Sequence, residues 1–282
     1  IWSKKFFIAS VTSIFAVSSI IVSLMITPEY RSSASLVAAT KTDVSNISSN
    51  ALAQLGGIAS SFGIDVGGGA ADESQIAYDI MQSWGFIEEF INKNNLAPYI
   101  SAVKGWDSSD DKLIFDRSVY NPEKAEWVSS KPSSYQLFLK FNNKIDISQE
   151  KLTGIIKIDL NYYSPKLAKE FLELYVKSIN DHMRNRKLSE VNKYVEYLEN
   201  QISKTSISGM REILNRVIEE QIKTKMLAES SPEYAFIIVN KPMIAENRFK
   251  PRRSLIVILS TLAGLFLSVI YVLLKQRLYP KN

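Results

Sequence analysis

The chain has 282 residues, 46% of them hydrophobic, with 34 Lys+Arg, 29 Asp+Glu, one His and no Cys. That length allows one or two domains of ordinary size, and the missing cysteines exclude disulfide scaffolds, thiolate–zinc sites and cysteine nucleophiles. A lone histidine, His182, argues against His-based metal sites and Ser-His-Asp triads, which need an imidazole in a defined position.

The formal charge of +5 does not mark a nucleic-acid surface. All 29 acids fall between residues 27 and 253, and so do 29 of the 34 bases, so this segment is neutral. The surplus is Lys4, Lys5, Lys275, Arg277 and Lys281, all beside two apolar runs. Charge placed there belongs to membrane anchors.

The runs are 6–26 and 254–274, each without a charged residue. Each is long enough to cross a bilayer as a helix at about 1.5 Å per residue. The first exceeds the ~7–15 apolar residues of a signal peptide, so it predicts a retained span. Two spans put both termini on one side of the membrane, but the intervening loop is too long for flanking charge to fix which side. Because Ile1 is not an initiator Met, residues ahead of it are expected. In the second run Ser260, Gly264 and Ser268 recur every four residues; in the first Ala9 and Ser13, then Ser19 and Ser23, do the same. Small residues so spaced let helix backbones approach closely in lipid, which predicts packed spans.

Residues 30–40 alternate and read as a strand leaving the membrane. A polar helical stretch is expected at 43–54. The glycine-rich run 55–71 lacks a Gly-Lys-Ser/Thr ending, so it is a loop and not a phosphate cradle. Residues 72–94 predict one amphipathic helix, capped by Asp72, with Ile76, Ile80, Trp84, Ile87 and Ile91 on one face. Loops fill 104–132, 135–141 alternates like a strand, and 148–153 resembles a helical turn. Strands are expected at 154–162 and 235–239.

Ser164-Pro165 opens the most informative stretch: Ser is a favoured N-cap, and Pro at the first helical position loses no needed hydrogen bond. No Gly or further Pro follows until after residue 203, which predicts a rod of roughly 58 Å. Leu188, Val191, Val195, Leu198 and Ile202 alternate spacings of three and four, as at a coiled-coil seam. The polar centre, 180–187, predicts a stretch projecting into solvent or lining an assembly. A second helix to about residue 230, carrying Met210, Ile213, Leu214, Val217, Ile218, Ile222 and Met226, completes a hairpin.

Catalytic constellations are wanting. His182 reads as an exposed helix residue. Glu88-Glu89, Asp110-Asp111 and Glu219-Glu220 are sequence neighbours, which on a helix point about 100° apart and make no two-carboxylate site. Arg184, Arg186 and Lys187 could form a stripe for an anionic polymer, but Asp181 and Glu190 dilute it. No catalytic, cofactor or metal residue is assigned.

The chain resembles the Wzz-type chain-length determinants, polysaccharide co-polymerases of bacterial envelopes. The resemblance rests on the two-span layout, on YRSSASLV after the first run, on SPKLAKEFLELYVKSIN opening the long helix, and on the closing segment RVIEEQIKTKMLAESSPEYAFIIVNKPMIAENRFKPRRSLIVILSTLAGL. The link to the second span keeps Pro242 and Pro251, while Asn240 and Ala245 stand where Asp and Pro are common in the family. No Walker-type motif follows the second span, so the resemblance does not extend to the fused tyrosine-kinase branch.

This likeness implies an α+β membrane protein of the bacterial inner membrane. Its expected parts are a cytoplasmic N-terminus (1–5), a first span (6–26), a periplasmic α/β base (27–163), a projecting helical hairpin (164–230), a return strand and Pro-containing link (231–253), a second span (254–274) and a cytoplasmic tail (275–282). It implies a non-catalytic regulator of the chain length of an O-antigen-like lipopolysaccharide, working as a homo-oligomeric ring with a glycan polymerase. Expected partners are other copies, with an octamer allowed and the subunit number not fixed, the polymerase, membrane lipids and the nascent glycan; no nucleic acid and no cofactor are implied. The alternative is an adaptor for capsule or exopolysaccharide export with a separate kinase.

Overall fold

The computed structural model describes residues 5–39 and 70–278. Helix α1 (Lys5–Met25) leads into strand β1 (Glu29–Ala38); after the undescribed stretch come α2 (Ala70–Met81), α3 (Trp84–Lys93) and α4 (Ala97–Ser101). Short strands follow: β2 (Val103–Asp107), β3 (Lys112–Phe115), β4 (Tyr120–Asn121) and β5 (Glu126–Trp127). Then come α5 (Ser134–Asn142), β6 (Ile145–Gln149), β7 (Ile156–Tyr162), the long α6 (Pro165–Lys204) and α7 (Ser208–Ser230). The chain returns through β8 (Phe236–Asn240) and β9 (Arg248–Lys250) into α8 (Arg253–Leu278). The helical stretch expected at 43–54 and most of the glycine-rich loop lie outside the described residues.

The central sheet is antiparallel in the order β6-β7-β1-β8, and β9 pairs with the start of β1. Its register places Tyr30 opposite Tyr162 and Leu36 opposite Ile156. Alternation does the rest. Ala34, Leu36, Ile156, Ile158 and Leu160 turn inward, and Arg31, Ser33, Lys157 and Asp159 turn away. The N-terminal half of α6 lies on the inner face, with Leu172, Tyr175, Val176 and Ile179 buried. Helices α3 and α5 close the core through Phe86, Phe90 and Phe141, whose rings meet Tyr175 at centroid distances of 5.5, 5.1 and 5.6 Å. The fold is α+β: a central five-stranded sheet with helices over one face, two small two-stranded sheets (β2-β3 and β4-β5), and a helical hairpin extending beyond.

Three local expectations are corrected. Residues 72–94 form two helices, because the Ser83 hydroxyl accepts from the Phe86 amide and starts α3 afresh. Ile76 and Trp84 are consequently exposed, and Ala77, Met81, Phe86 and Phe90 take the inner positions. The stretch 135–141 is helix α5: Ser133 and Gln136 form a reciprocal capping box, and Leu137 and Phe141 bury one turn apart. The 148–153 turn is instead the end of β6 followed by a tight turn into β7.

Candidate functional site: the long hairpin and the terminal helices

Helix α6 starts where expected, with the Ser164 hydroxyl accepting from the Leu167 amide and Pro165 in the first turn. It runs 40 residues, a rod of about 60 Å. Its predicted seam faces α7: Val191 and Leu198 are buried, while Leu188, Val195 and Ile202 are half-buried. Helix α7 offers Ile213, Leu214, Val217 and Ile218 as its half-buried residues. Met210, Ile222 and Met226, also expected on its apolar face, are exposed. Through the polar sequence Lys177–Asp181, Arg184–Asp181 and Lys187–Glu190 pair along the rod's surface, each at helical spacing.

The polar centre does not simply project into solvent. Asn180 and Met183 are buried. The Asn180 carboxamide oxygen accepts from the backbone amides of Ala235 and Phe236 at 2.8 and 2.9 Å, and its NH₂ donates to the Phe236 carbonyl at 3.0 Å. One side chain thereby replaces the missing edge partner of β8 and ties the rod to the sheet. His182 is corrected likewise: its Nδ1 lies 2.8 Å from Glu89, and its ring meets the edge of Phe86. Sequence inspection missed this dock because its partner is backbone some 55 residues away. Of the other acidic neighbours, Asp111 accepts from the Trp106 indole, and Glu219 and Glu220 share the Lys223 ammonium at 3.3 and 3.1 Å on the exposed face of α7. Among the described residues no group of three or more His, Asp or Glu is placed to hold a metal ion.

The terminal helices pack against each other, running in opposite directions. Phe7 meets Tyr271 with centroids 5.5 Å apart. Gly264 faces Phe15 so closely that an added Cβ would stand 2.7 Å from the Phe15 Cβ. Ser19, Ser23 and Ser268 are buried, with Ser19 and Ser268 bonding back to carbonyls of their own helices. Ser260 is half-buried, while Ala9 and Ser13 are exposed. The small-residue face around Gly264 therefore serves the union of the two helices of one chain. Gly264→Leu is expected to destabilise that pair by about 1–3 kcal/mol, the usual cost of overpacking. A lower melting temperature in detergent checks it.

Helix α8 contains a segment, Arg253–Tyr271, long and apolar enough to cross a membrane; the apolar part of α1, Ala9–Met25, is shorter. In the link, Pro242 is buried, and Pro251 follows a cis peptide just before α8. Where the sheet meets these helices, Arg31 bonds Asp159 and Asn161 at 2.8 and 3.0 Å and lies over the Phe249 ring. Nearby, burial lowers the pKa of the Lys144 ammonium while Glu29, 3.8 Å away, opposes that shift.

Two family models match the chain: "Chain length determinant protein" over residues 1–94, and "G-rich domain on putative tyrosine kinase" over residues 213–277. No curated protein sequence matches. Among solved structures, the chain is similar to a "full-length bacterial polysaccharide co-polymerase" at 12% identity and a TM-score of 0.47, covering 100% of this chain and 97% of that one. It is also similar to a fragment of WzzB, a polysaccharide co-polymerase from Salmonella Typhimurium, at 10% identity and a TM-score of 0.33, covering 79% and 100%. The first family match reaches from α1 and β1 to α3, and the second runs from within α7 through the return arm into α8; over these two stretches the chain is similar to the chain length determinant family and to the G-rich domain family.

Proposed function

We propose that this protein sets the chain length of an envelope polysaccharide as an oligomeric, non-catalytic partner of a glycan polymerase. The chain length determinant match over α1 and β1 is the observation that carries the reading. On this reading α1 and α8 are the two spans of an inner-membrane protein, with both ends cytoplasmic. Residues 27–163 form a periplasmic base, 164–230 a hairpin rising from it, and 231–253 the return to the membrane. The exposed apolar side chains along both terminal helices, Ile14, Ile20 and Leu24 on one and Ile258, Leu262 and Phe266 on the other, support a lipid-facing position. The glycan is O-antigen-like lipopolysaccharide, and copies assemble into a ring.

The G-rich match over residues 213–277 favours a second reading, an adaptor for capsule or exopolysaccharide export beside a separate kinase. A deletion strain separates the two. On the first reading lipopolysaccharide polymer persists with a broadened or shifted length distribution, at unchanged polymerase level. Loss of exported capsule with unaltered lipopolysaccharide lengths would favour the adaptor instead.

A further inference from the structure

The end of the sheet beside the terminal helices gathers cations that neither the core nor the hairpin uses. Glu29 opens β1 just after α1 and pairs across the strands with Lys250, which precedes α8. Lys144, at the head of β6, sets its ammonium 3.8 Å from the Glu29 carboxylate and 4.4 Å from the Tyr163 ring centroid. Lys140 and Lys250 both add positive potential at Lys144. Of these, Lys144 pairs with Glu29, while Lys140 donates to the Ser101 carbonyl at 3.3 Å. Three residues past Lys250, the Arg253 Nε is enclosed with no hydrogen-bond partner.

Aromatic rings stand at the same end. Trp106 meets Tyr30 edge-on at 5.7 Å, and the strand carrying Trp106 passes so near the link from α1 to β1 that a Cβ on Gly105 would lie 3.2 Å from the Thr27 methyl. Phe249 lies under Arg31. Trp and Tyr concentrate where a protein crosses the headgroup level, and basic clusters at that level bind anionic lipid headgroups. Arg31 is already satisfied by Asp159 and Asn161, so the surplus charge resides in the lysines and Arg253.

Resting on the two-span reading above, we propose that Lys144, Lys250 and Arg253 hold the phosphodiester headgroup of an anionic phospholipid where the terminal helices leave the bilayer. Glu29 and Tyr163 fix the Lys144 ammonium, and Trp106 and Tyr30 seat at the interface beside it. The phosphate oxygens accept from the two ammonium groups and from the outer nitrogens of the Arg253 guanidinium, whose Nε is enclosed, and the phosphate supplies the counter-charge that the protein leaves out.

The test uses the full chain in detergent, with phosphatidylglycerol or phosphatidylcholine added and bound lipid counted by native mass spectrometry. The wild type is expected to retain phosphatidylglycerol preferentially, also in excess inorganic phosphate. Lys144→Met and Lys250→Met are each expected to lower that preference about fivefold. Lys193→Met and Lys204→Met, charge-matched changes on the distant hairpin, are expected to leave it unchanged. If Lys144→Met fails to fold, exposed Lys250 still provides the test. Equal retention of both lipids by the wild type, equal losses in the hairpin controls, or displacement by inorganic phosphate would each overturn the proposal. Failure of the wild type to insert into vesicles would instead contradict the two-span reading beneath it.

Discussion

Asn180→Ala is expected to cost about 2–4 kcal/mol of stability, because it strands buried backbone groups rather than merely removing a contact. The Asn180 carboxamide accepts from the amides of Ala235 and Phe236 and donates to the Phe236 carbonyl. All three groups lie where water cannot replace it, since Asn180 and Phe236 are buried. The loss should lower the melting temperature by about 5–10 °C. Release should begin at β8, freeing the return arm from the rod. Asn185→Ala, an exposed change on the same helix, should stay within about 0.5 kcal/mol of wild type. Circular dichroism melts of the two variants in detergent check both numbers, and equal melting would remove Asn180 as the dock between rod and sheet.

A second large effect is expected at the seam. Leu198 is buried between the arms of the hairpin. Leu198→Asp places a carboxylate there with no cation provided for it, a penalty of about 3–5 kcal/mol while the arms stay closed. The arms can part without unfolding the base, so the response should be local. Amide exchange should accelerate at least about 100-fold in the distal parts of both arms and stay unchanged in β1 and β7. Global unfolding at the same denaturant concentration would show that hairpin and base form one cooperative unit.

How much of this was legible in the sequence depended on whether the determining contact was local. Ser164-Pro165 announces α6 because cap and first turn lie within four residues, and the seam is readable because helix periodicity alone places Val191 and Leu198 on one side. Strands β1 and β7 were visible through their alternation, and β8 through its short apolar run, Ala235–Val239. The α5 helix was misread as a strand although Ser133 and Gln136 carried the capping signal; the apolar alternation of Tyr135, Leu137 and Leu139 outweighed it. The break at Ser83 was missed because a single hydroxyl decides it. The polar run 180–187 was misjudged for a different reason: polarity predicts exposure only until a distant backbone edge needs a partner, and β8 supplies that edge. Gly264 was recognisable as a close-approach residue, but spacing alone could not say that Phe15 of the same chain was what approached it. The cation cluster at Glu29 was invisible for the same reason, being drawn from strands separated by more than a hundred residues.

The central claim, that the hairpin belongs to a machine that sets polysaccharide length, is tested most directly by shortening the rod in register. Removing residues 195–201 from α6 and 211–217 from α7 takes one heptad from each arm, about 10 Å of height, and keeps the seam in phase. The measurement is the gel ladder of envelope polysaccharide from a deletion strain carrying this variant or the wild type at equal levels. The account predicts that the variant assembles like the wild type and still yields polymer, but with a displaced modal length. A ladder identical to wild type from a fully assembled, shortened protein would contradict it.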